Sequence, residues 1–358
     1  MTIRKIINRI LIIFAWVLLI AIALYFPHWK SLPREERSLN IFAWGDLMEP
    51  SVLAEFEKET GIKVNLSYFS SNEELQVKMM ATRGIGYDLI MPSGYAVDLL
   101  AKADLLKPIN KSKLRFWNNL NPGLLGIWYD PQNTYSIPFS WEVYGLGVST
   151  PFFKDRSLPS SWDALYDPKV IDYKIVIGND PVENVSLASF YLFNDVHTLS
   201  SREITQVKNL LLAQRNFVEA YSDFRADYFL ATDNCPVVLT TSTYASRIQS
   251  IFPGIAFIIP QEGSFLTIEG FALSKATTKE KYIYEFLNFI YSKKAMVTQY
   301  ETYFAMPALT DTIDDLELPE HVRALIQSSP QELKRLHSVR NLMPQQQVRD
   351  LWIQIKSF

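Results

Sequence analysis

Cysteine is almost absent from this 358-residue sequence, because Cys235 is its only representative. No disulfide can form within the chain and no cysteine-rich metal site exists. Cys235 stands beside Pro236 at the start of an apolar run, so we expect it to be buried and inert. The four histidines lack the spacing of a zinc motif, and no phosphate-binding loop or nucleophile elbow occurs. The sequence therefore predicts neither a metal site nor a bound cofactor.

A strong charge of either sign is also lacking. The net charge is −3, with 20% charged and 48% apolar residues, as in an ordinary globular protein. A mildly acidic surface argues against phosphate binding, so nucleic acid is not an expected partner. The length fits two lobes of about 100 to 200 residues each. Two lobes can enclose a cleft.

The N-terminus carries the one long apolar run of the sequence. Basic residues precede residues 10–26, a stretch of about 17 residues that nearly crosses a bilayer core. Residues 1–30 are therefore predicted to be a signal peptide or a membrane anchor, with the remainder in the periplasm. The cleavage site is poor, which favours an inner-membrane anchor, and a cleaved signal peptide is the alternative. The candidate interfacial residues are Trp16, Tyr25 and Trp29.

Strand-like and helix-like segments alternate after residue 38. Strands are predicted at 39–44, 62–69 and 87–93, and helices at 49–61, 71–84 and 96–106. This alternation indicates an α/β protein with a mainly parallel sheet and helices on both faces. In such sheets ligands bind beyond the carboxyl ends of the strands. Trp44, Ser93, Tyr95, Asp180 and Glu183 all follow predicted strands.

Five segments of the sequence occur together in a fixed order. They are "FAWGDLMEPSVLAEFEKETGIKV", "YDLIMPSGYAVDLL", "LKPINKSKL", "YSIPFSWEVYGLGV" and "SWDALYDP". With these segments the sequence resembles the polyamine-binding periplasmic proteins of bacterial ABC importers, the spermidine/putrescine receptors of the extracellular solute-binding superfamily. The resemblance runs from about residue 39 to the C-terminus and is strongest before residue 185.

The resemblance implies a two-lobed periplasmic binding protein fold of type II. Each lobe would be a mainly parallel sheet flanked by helices, and an N-terminal apolar helix would precede both lobes. The lobe boundaries that follow are residues 39–142 plus about 256–305 for the first lobe, and about 143–255 plus 306–358 for the second.

The implied function is that of a monomeric binding protein, not an enzyme. It would capture a polyamine such as spermidine or putrescine in the interlobe cleft and deliver it to an inner-membrane permease. A solute-binding protein for another small ligand and a membrane-tethered ligand sensor are the alternatives. A bilobal deaminase that builds tetrapyrroles would need an arginine-rich cleft and a cytoplasmic chain, and the apolar N-terminal segment argues against it.

Carried over residue by residue, the family's cleft positions fall on seven residues of this chain. Carboxylates spaced along a groove with aromatic walls suit a linear cation whose charged nitrogens are joined by methylenes. Each residue also has a structural interpretation: a core aromatic, a helix N-cap or first-turn acid, a loop serine, or one partner of a salt bridge. The implied ligand-binding residues are Trp44, Ser93, Tyr95, Asp180, Glu183, Ser222 and Glu269.

The sequence also departs from the family pattern. Where the family usually has two tryptophans, this chain has Thr240 or Thr241 and Thr267. A late cleft aromatic falls on either Tyr303 or Phe304. The acidic residues are kept while part of the aromatic cage is missing, which leaves the identity of the ligand open.

Overall fold

A computed structural model describes residues 37–357 except 46, 223–225, 233, 320–321 and 324–334, together with residues 11, 13–18 and 20. The chain divides into two compact units, residues 1–38 and 39–358. In the first unit residues 11, 13–18 and 20 are helical and carry exposed apolar side chains such as Phe14 and Trp16. The rest of the predicted segment 10–26, and all of Tyr25 and Trp29, lie outside the described residues. No helix within the described ranges has both the length and the apolar character needed to cross a bilayer.

The helices of the second unit follow the predicted pattern closely. Helix α1 ends at Gly61, whose φ of 67° is the left-handed conformation that glycine adopts most easily. Helix α2 begins after Ser71, which accepts a hydrogen bond from the Glu74 amide. The helices are α1 Pro50–Thr60, α2 Asn72–Thr82, α3 Gly94–Lys102, α4 Asp163–Tyr166, α5 Pro181–Phe193, α6 Ser201–Gln214, α7 Ala226–Ala231, α8 Ser242–Gln249, α9 Glu280–Ile290, α10 Lys293–Tyr303 and α11 Gln345–Lys356.

The strands form one connected sheet with the order β2-β1-β3-β10-β5-β8-β6-β7, and four short or edge strands pair off this path. The strands are β1 Ser38–Trp44, β2 Lys63–Phe69, β3 Leu89–Ile90, β4 Leu106–Lys107, β5 Ser136–Ser149, β6 Ile175–Ile177, β7 Val218–Tyr221, β8 Val237–Thr241, β9 Ile255–Ile258, β10 Ser264–Ser274, β11 Met306–Pro307 and β12 Leu336–Ser338. Short 3₁₀ helices cover Lys111–Lys113, Trp117–Asn119, Pro122–Leu124, Arg215–Phe217 and Thr310–Asp315.

The sheet is mixed, so the expectation of a mainly parallel sheet in each lobe is wrong. Strands β1 and β3 are parallel, as are β6 and β8, but β10 runs antiparallel to both β3 and β5. Strand β5 pairs with β10 through Val143 and with β8 from Tyr144 onward. The two long strands, β5 and β10, therefore cross the middle of the sheet in opposite directions and form its antiparallel centre.

Separate apolar cores form on the two halves of this sheet. The first collects buried side chains from β1, α1, α9 and α10, and the second from α5, α6, β8 and α11. Met306, Leu309 and Leu316 pack in the first core, although residues 306–358 were assigned to the second lobe. Strand β9 pairs with the part of β5 that also pairs with β8, although residues from about 256 to 305 are assigned to the first lobe. The lobe boundaries stay predictions.

Candidate functional site

A cavity of about 330 Å³ lies between the two halves of the sheet. Its wall is built from the end of β1, the starts of α3 and α5, and the middle of β5 and β10. Six of the seven predicted residues line it: Trp44, Ser93, Asp180, Glu183, Ser222 and Glu269. Tyr95 does not line the cavity. It is buried behind Asp180 and packs in the second core.

Glu269 is a buried carboxyl surrounded by hydrogen-bond donors, with an exposure of only 8%. The Trp44 indole Nε1 donates to Oε2 at 2.7 Å, and the Thr267 hydroxyl donates to Oε1 at 3.2 Å. The Ser93 hydroxyl lies 2.7 and 2.8 Å from the two carboxyl oxygens. Asn72 donates to Ser93 Oγ, so the serine proton is directed at Glu269. Among the described residues, hydrogen bonds hold Glu269 in place, and not the salt bridge that was its structural interpretation.

Local sequence explains this arrangement. Ser93 is the N-cap of α3 but makes no side-chain capping bond, because its hydroxyl is engaged with Glu269 instead. The ladder between β10 and β5 shifts register between Glu269 and Gly270, and such a bulge redirects the side chain beside it. Gly270 has to be glycine, since a Cβ there would lie 2.7 Å from the Ile137 carbonyl oxygen.

Burial raises the pKa of Glu269 to about 8. The donors Ser93 and Trp44 work in the opposite direction, and the nearby charge of Glu142 raises the pKa further. A carboxyl with this pKa is mostly protonated at neutral pH in the absence of a cation, yet its surroundings already supply hydrogen bonds to the ionised form. A bound cation would therefore ionise it without any rearrangement of its neighbours.

Asp180 is the N-cap of α5, which was its structural interpretation, and it also lines the cavity. As the N-cap of α5, its Oδ1 accepts hydrogen bonds from the Val182 and Glu183 amides at 2.8 and 3.1 Å. Its Oδ2 accepts from the Tyr95 hydroxyl at 2.6 Å, and its side chain also faces the cavity. Burial raises its pKa, the bonds from Tyr95 and the two amides oppose that shift, and the charge of Glu73 adds to it.

Glu183 lies in the first turn of α5, which begins at Pro181 as the sequence predicted. The helix N-terminus favours its negative charge. The buried Tyr144 of β5 lines this end of the cavity, and its pKa is raised by burial and then by the charges of Glu183 and Glu142. Asp180 and Glu183 thus form a paired acidic end, separate from Glu269.

Sequence reasoning missed several residues of the cavity wall. Glu142 on β5 is the most informative, because its Oε2 accepts a hydrogen bond from the Thr241 hydroxyl at 2.6 Å. Arg247 and Lys356 bring positive charge to the wall. Arg247 lies 5.0 Å over the Tyr244 ring and donates to the Tyr303 carbonyl, while Lys356 donates to Asn179. A signal for Glu142 was present, since it is the only charged residue in a 14-residue apolar strand.

The departures from the family pattern fall at the cavity as expected. Thr240, Thr241 and Thr267 all line it. Neither Tyr303 nor Phe304 does, and the neighbouring Ala305 reaches the wall in their place. Tyr303 instead directs its hydroxyl to the Met48 carbonyl, and Phe304 caps α10 with a φ of 60°.

Direct contacts join the two halves across the cavity. Besides the bond between Tyr95 and Asp180, Arg349 of α11 donates to Glu73 of α2 at 2.9 Å. Gln345 of α11 donates to Gln76 of α2 at 3.0 Å. Residues of both lobes therefore meet around the cavity, which is the arrangement of a closed cleft.

Comparisons with known proteins agree with this geometry. The family model for bacterial extracellular solute-binding proteins matches residues 51–324. The putrescine-binding periplasmic protein PotF of Escherichia coli is 29% identical over 277 residues, which cover 73% of this chain and 75% of that protein. The spermidine/putrescine-binding periplasmic protein of the same organism is 30% identical over 260 residues, covering 72% of this chain and 73% of that protein.

Solved structures show the same fold. A putative spermidine/putrescine ABC transporter protein from Listeria monocytogenes superposes with a TM-score of 0.79 at 26% identity, covering 89% of this chain and 99% of its own. The Tp0655 lipoprotein of Treponema pallidum superposes with a TM-score of 0.77 at 20% identity, covering 90% of this chain and all of its own. The two-lobed periplasmic binding protein fold is confirmed.

Proposed function

The chain belongs to the bacterial extracellular solute-binding protein family, and we propose that it is the component of an ABC importer that captures a polyamine for delivery to a permease. The observation that carries the proposal is a single cavity with separate acidic groups on its two sides. Glu269 stands on one side, and Asp180 with Glu183 stands on the other. Relatives named for putrescine and spermidine binding support the same ligand class.

The physical argument rests on how a linear amine is recognised. Each ammonium needs carboxylate or hydroxyl acceptors, and the methylenes between them need apolar or aromatic walls. Trp44 and Tyr144 supply such walls. The cavity of about 330 Å³ is at the lower end of the range for small-molecule sites. In the proposed role the protein binds its ligand and releases it to the permease.

Calorimetry on residues 37–358 with putrescine, spermidine and butane-1,4-diol would test the proposal. The diol has the length of putrescine without its charges, so it is the matched neutral control. We expect both amines to bind and the diol not to bind. Binding of the diol, or a thermal shift with anionic or sugar ligands alone, would contradict the polyamine assignment.

The proposal places the binding domain in the periplasm, held at the inner membrane by residues 10–26. The apolar run, the basic residues before it and the exposed apolar side chains of its described part support this anchor. The full-length protein should then stay with the membrane fraction through high-salt and carbonate washes. A mature N-terminus that begins after residue 26 would refute the anchor and leave export intact.

A further inference from the structure

Asn72 is a buried amide that does not line the cavity. It is the first residue of α2 and is only 1% exposed. Its neighbours in the sequence, Ser71 and Glu73, both line the cavity, so Asn72 lies behind the cavity wall. A buried side-chain amide needs partners for its two donor hydrogens and for its acceptor oxygen. The partners of Asn72 are hydroxyl-bearing residues at the start of α3.

Asn72 holds Ser93 with both ends of its amide. Its Oδ1 accepts a hydrogen bond from the Ser93 backbone amide at 3.1 Å, and its Nδ2 donates to Ser93 Oγ at 2.9 Å. The orientation of the side-chain amide follows from these contacts, because a backbone N–H can only donate. Since the Ser93 oxygen accepts from Asn72, its single proton is left for Glu269, whose oxygens lie 2.7 and 2.8 Å away.

The same amide also reaches the Tyr95 hydroxyl, which donates to Asp180 Oδ2 at 2.6 Å. Burial raises the pKa of Tyr95, and the charges of Asp180 and Glu183 raise it further. The hydrogen bond with the Asn72 side chain works in the opposite direction. Because the only proton of the phenol is directed at Asp180, its oxygen accepts in the bond with Asn72. One buried amide therefore donates to a hydroxyl at each acidic end of the cavity.

We propose that Asn72 is a positioning residue for both acidic ends of the cavity, because it directs the Ser93 proton at Glu269 and the Tyr95 proton at Asp180. This inference rests on the polyamine-binding function proposed above and adds a residue that acts on the site without touching the ligand. Hydrogen bonds in a chain polarise one another, so both hydroxyls become stronger donors to an ionised carboxylate. Each acid is thereby held closer to the ionised state that a cation requires.

Other charged groups near the two acids are present whether or not Asn72 is changed. Glu142 faces Glu269, and its charge raises the pKa of that carboxyl after the larger effect of burial. Glu73 has the corresponding effect on Asp180. A difference between the unaltered protein and a variant at Asn72 therefore reports the hydrogen bonds and not these charges.

The test follows the ionisation of both acids in the full chain without a ligand, by NMR of isotope-labelled carboxyl carbons. The signals are assigned from the spectra of Glu269→Gln and Asp180→Asn. We expect Asn72→Ala to raise the pKa of Glu269 and that of Asp180. Ser93→Ala should raise only the first pKa, and Tyr95→Phe only the second, because each removes one of the two hydroxyls.

Calorimetry with putrescine at pH 7 gives a second measurement on the same variants. We expect the Kd of Asn72→Ala to rise about fivefold, since both acids ionise less readily while their carboxylates remain in place. Thermal unfolding checks the fold. Asn72→Asp keeps the acceptor for the Ser93 amide and lacks the donors, so it should raise both pKa values even where the alanine variant is too unstable to measure.

Asn288→Ala is the matched control, because Asn288 also makes three hydrogen bonds through its side-chain amide but lies outside the cavity. It should lower the unfolding temperature and leave both pKa values and the Kd unchanged. The same result for Asn72→Ala would mean that Asn72 has only a structural role.

The outcomes separate this inference from the proposed function. A rise of only one of the two pKa values in Asn72→Ala, or of neither, overturns the positioning role while the polyamine function stands. If the unaltered protein does not bind putrescine, the proposed function fails, and the NMR titration still decides the role of Asn72 because it needs no ligand.

Discussion

The two acidic ends of the cavity hold negative charge in different ways. At the first end, Glu269 is a single carboxyl 8% exposed, and side-chain donors surround it. At the second end, Asp180 and Glu183 lie at the N-terminus of α5, where two backbone amides and the Tyr95 hydroxyl donate to Asp180. One end is a buried group whose pKa is raised to about 8, and the other is a pair that belongs to a helix cap.

This difference predicts which substitutions change only the affinity for a ligand and which also change the stability of the fold. The hydrogen bonds of Glu269 come from side chains of the cavity wall, those of Trp44, Ser93 and Thr267, and not from a helix end. Asp180 caps a helix and also links the lobes through Tyr95, so its loss affects the framework as well. We therefore expect changes at the first end to act on affinity, and changes at the second end to act on both affinity and stability.

The largest expected effect is at the single buried carboxyl. Glu269→Gln should weaken polyamine binding by about 2 to 5 kcal/mol, because the ammonium it faces would be left desolvated without a charged partner. Glu183→Gln should cost less, since Asp180 remains beside it. Calorimetry on both variants gives the ranking. A larger loss at Glu183 than at Glu269 would reverse the comparison of the two ends.

A second effect concerns the pH dependence of binding at the first end. The pKa of Glu269 is about 8 without ligand, and a bound ammonium lowers it. Binding therefore releases a proton below pH 8, and affinity should fall about tenfold, or about 1.4 kcal/mol, for each pH unit below that value. Above pH 8 this dependence should disappear.

Calorimetry in buffers of different ionisation enthalpy measures the released proton directly. At pH 7 we expect close to one proton per amine bound in the unaltered protein and almost none in Glu269→Gln. Binding without proton release in the unaltered protein would show that Glu269 is already ionised in the empty cleft.

A third effect separates two contributions of Asp180, its capping of α5 and its negative charge. Asp180→Ala should lower the free energy of unfolding by about 1 kcal/mol, because α5 loses its N-cap. Asp180→Asn keeps a capping oxygen and should retain most of that stability while still weakening amine binding. Urea denaturation measures the first quantity and calorimetry the second. Equal stability of the alanine variant and the unaltered protein would mean that the cap is dispensable.

Much of the site was predictable because strand ends are visible in the sequence. Trp44, Ser93 and Asp180 each follow an apolar run, and parallel strands bring such ends to one edge. Glu142 was not found, since a nearly continuous apolar strand does not reveal which face it turns to a cavity until its partners are known. Tyr95 was placed in the right region, but whether a tyrosine lines a cavity or supports the acid behind it depends on tertiary packing.

The same limit applies to the fold. Local patterns predicted α1, α2 and β1, whose ends are marked by caps and by Gly61. Strand β11 is only two residues long and is held by pairing with Trp141 and Ser140, so its place with the first lobe depends on contacts far apart in the sequence. The antiparallel course of β10 has the same origin.

The smallest expected effect comes from removing a single hydrogen-bond donor to Glu269. Thr267→Val replaces the hydroxyl by a methyl group of similar size and removes the 3.2 Å bond to Glu269. We expect a loss of affinity of about 0.5 to 1 kcal/mol, because Trp44 and Ser93 still donate to the carboxylate. The pKa of Glu269 should rise further, so the pH at which proton release stops should move upward.

Thr277→Val is the matched control for that variant, since it removes a buried threonine hydroxyl that donates to Asp88 outside the cavity. The control should leave affinity and proton release unchanged even if it lowers the unfolding temperature. If Thr267→Val instead binds amines more tightly, then apolar contact with the methylenes outweighs the hydrogen bond to Glu269. The threonine would in that case be a weak substitute for an aromatic wall, and the first end of the cavity would hold its ligand mainly through packing.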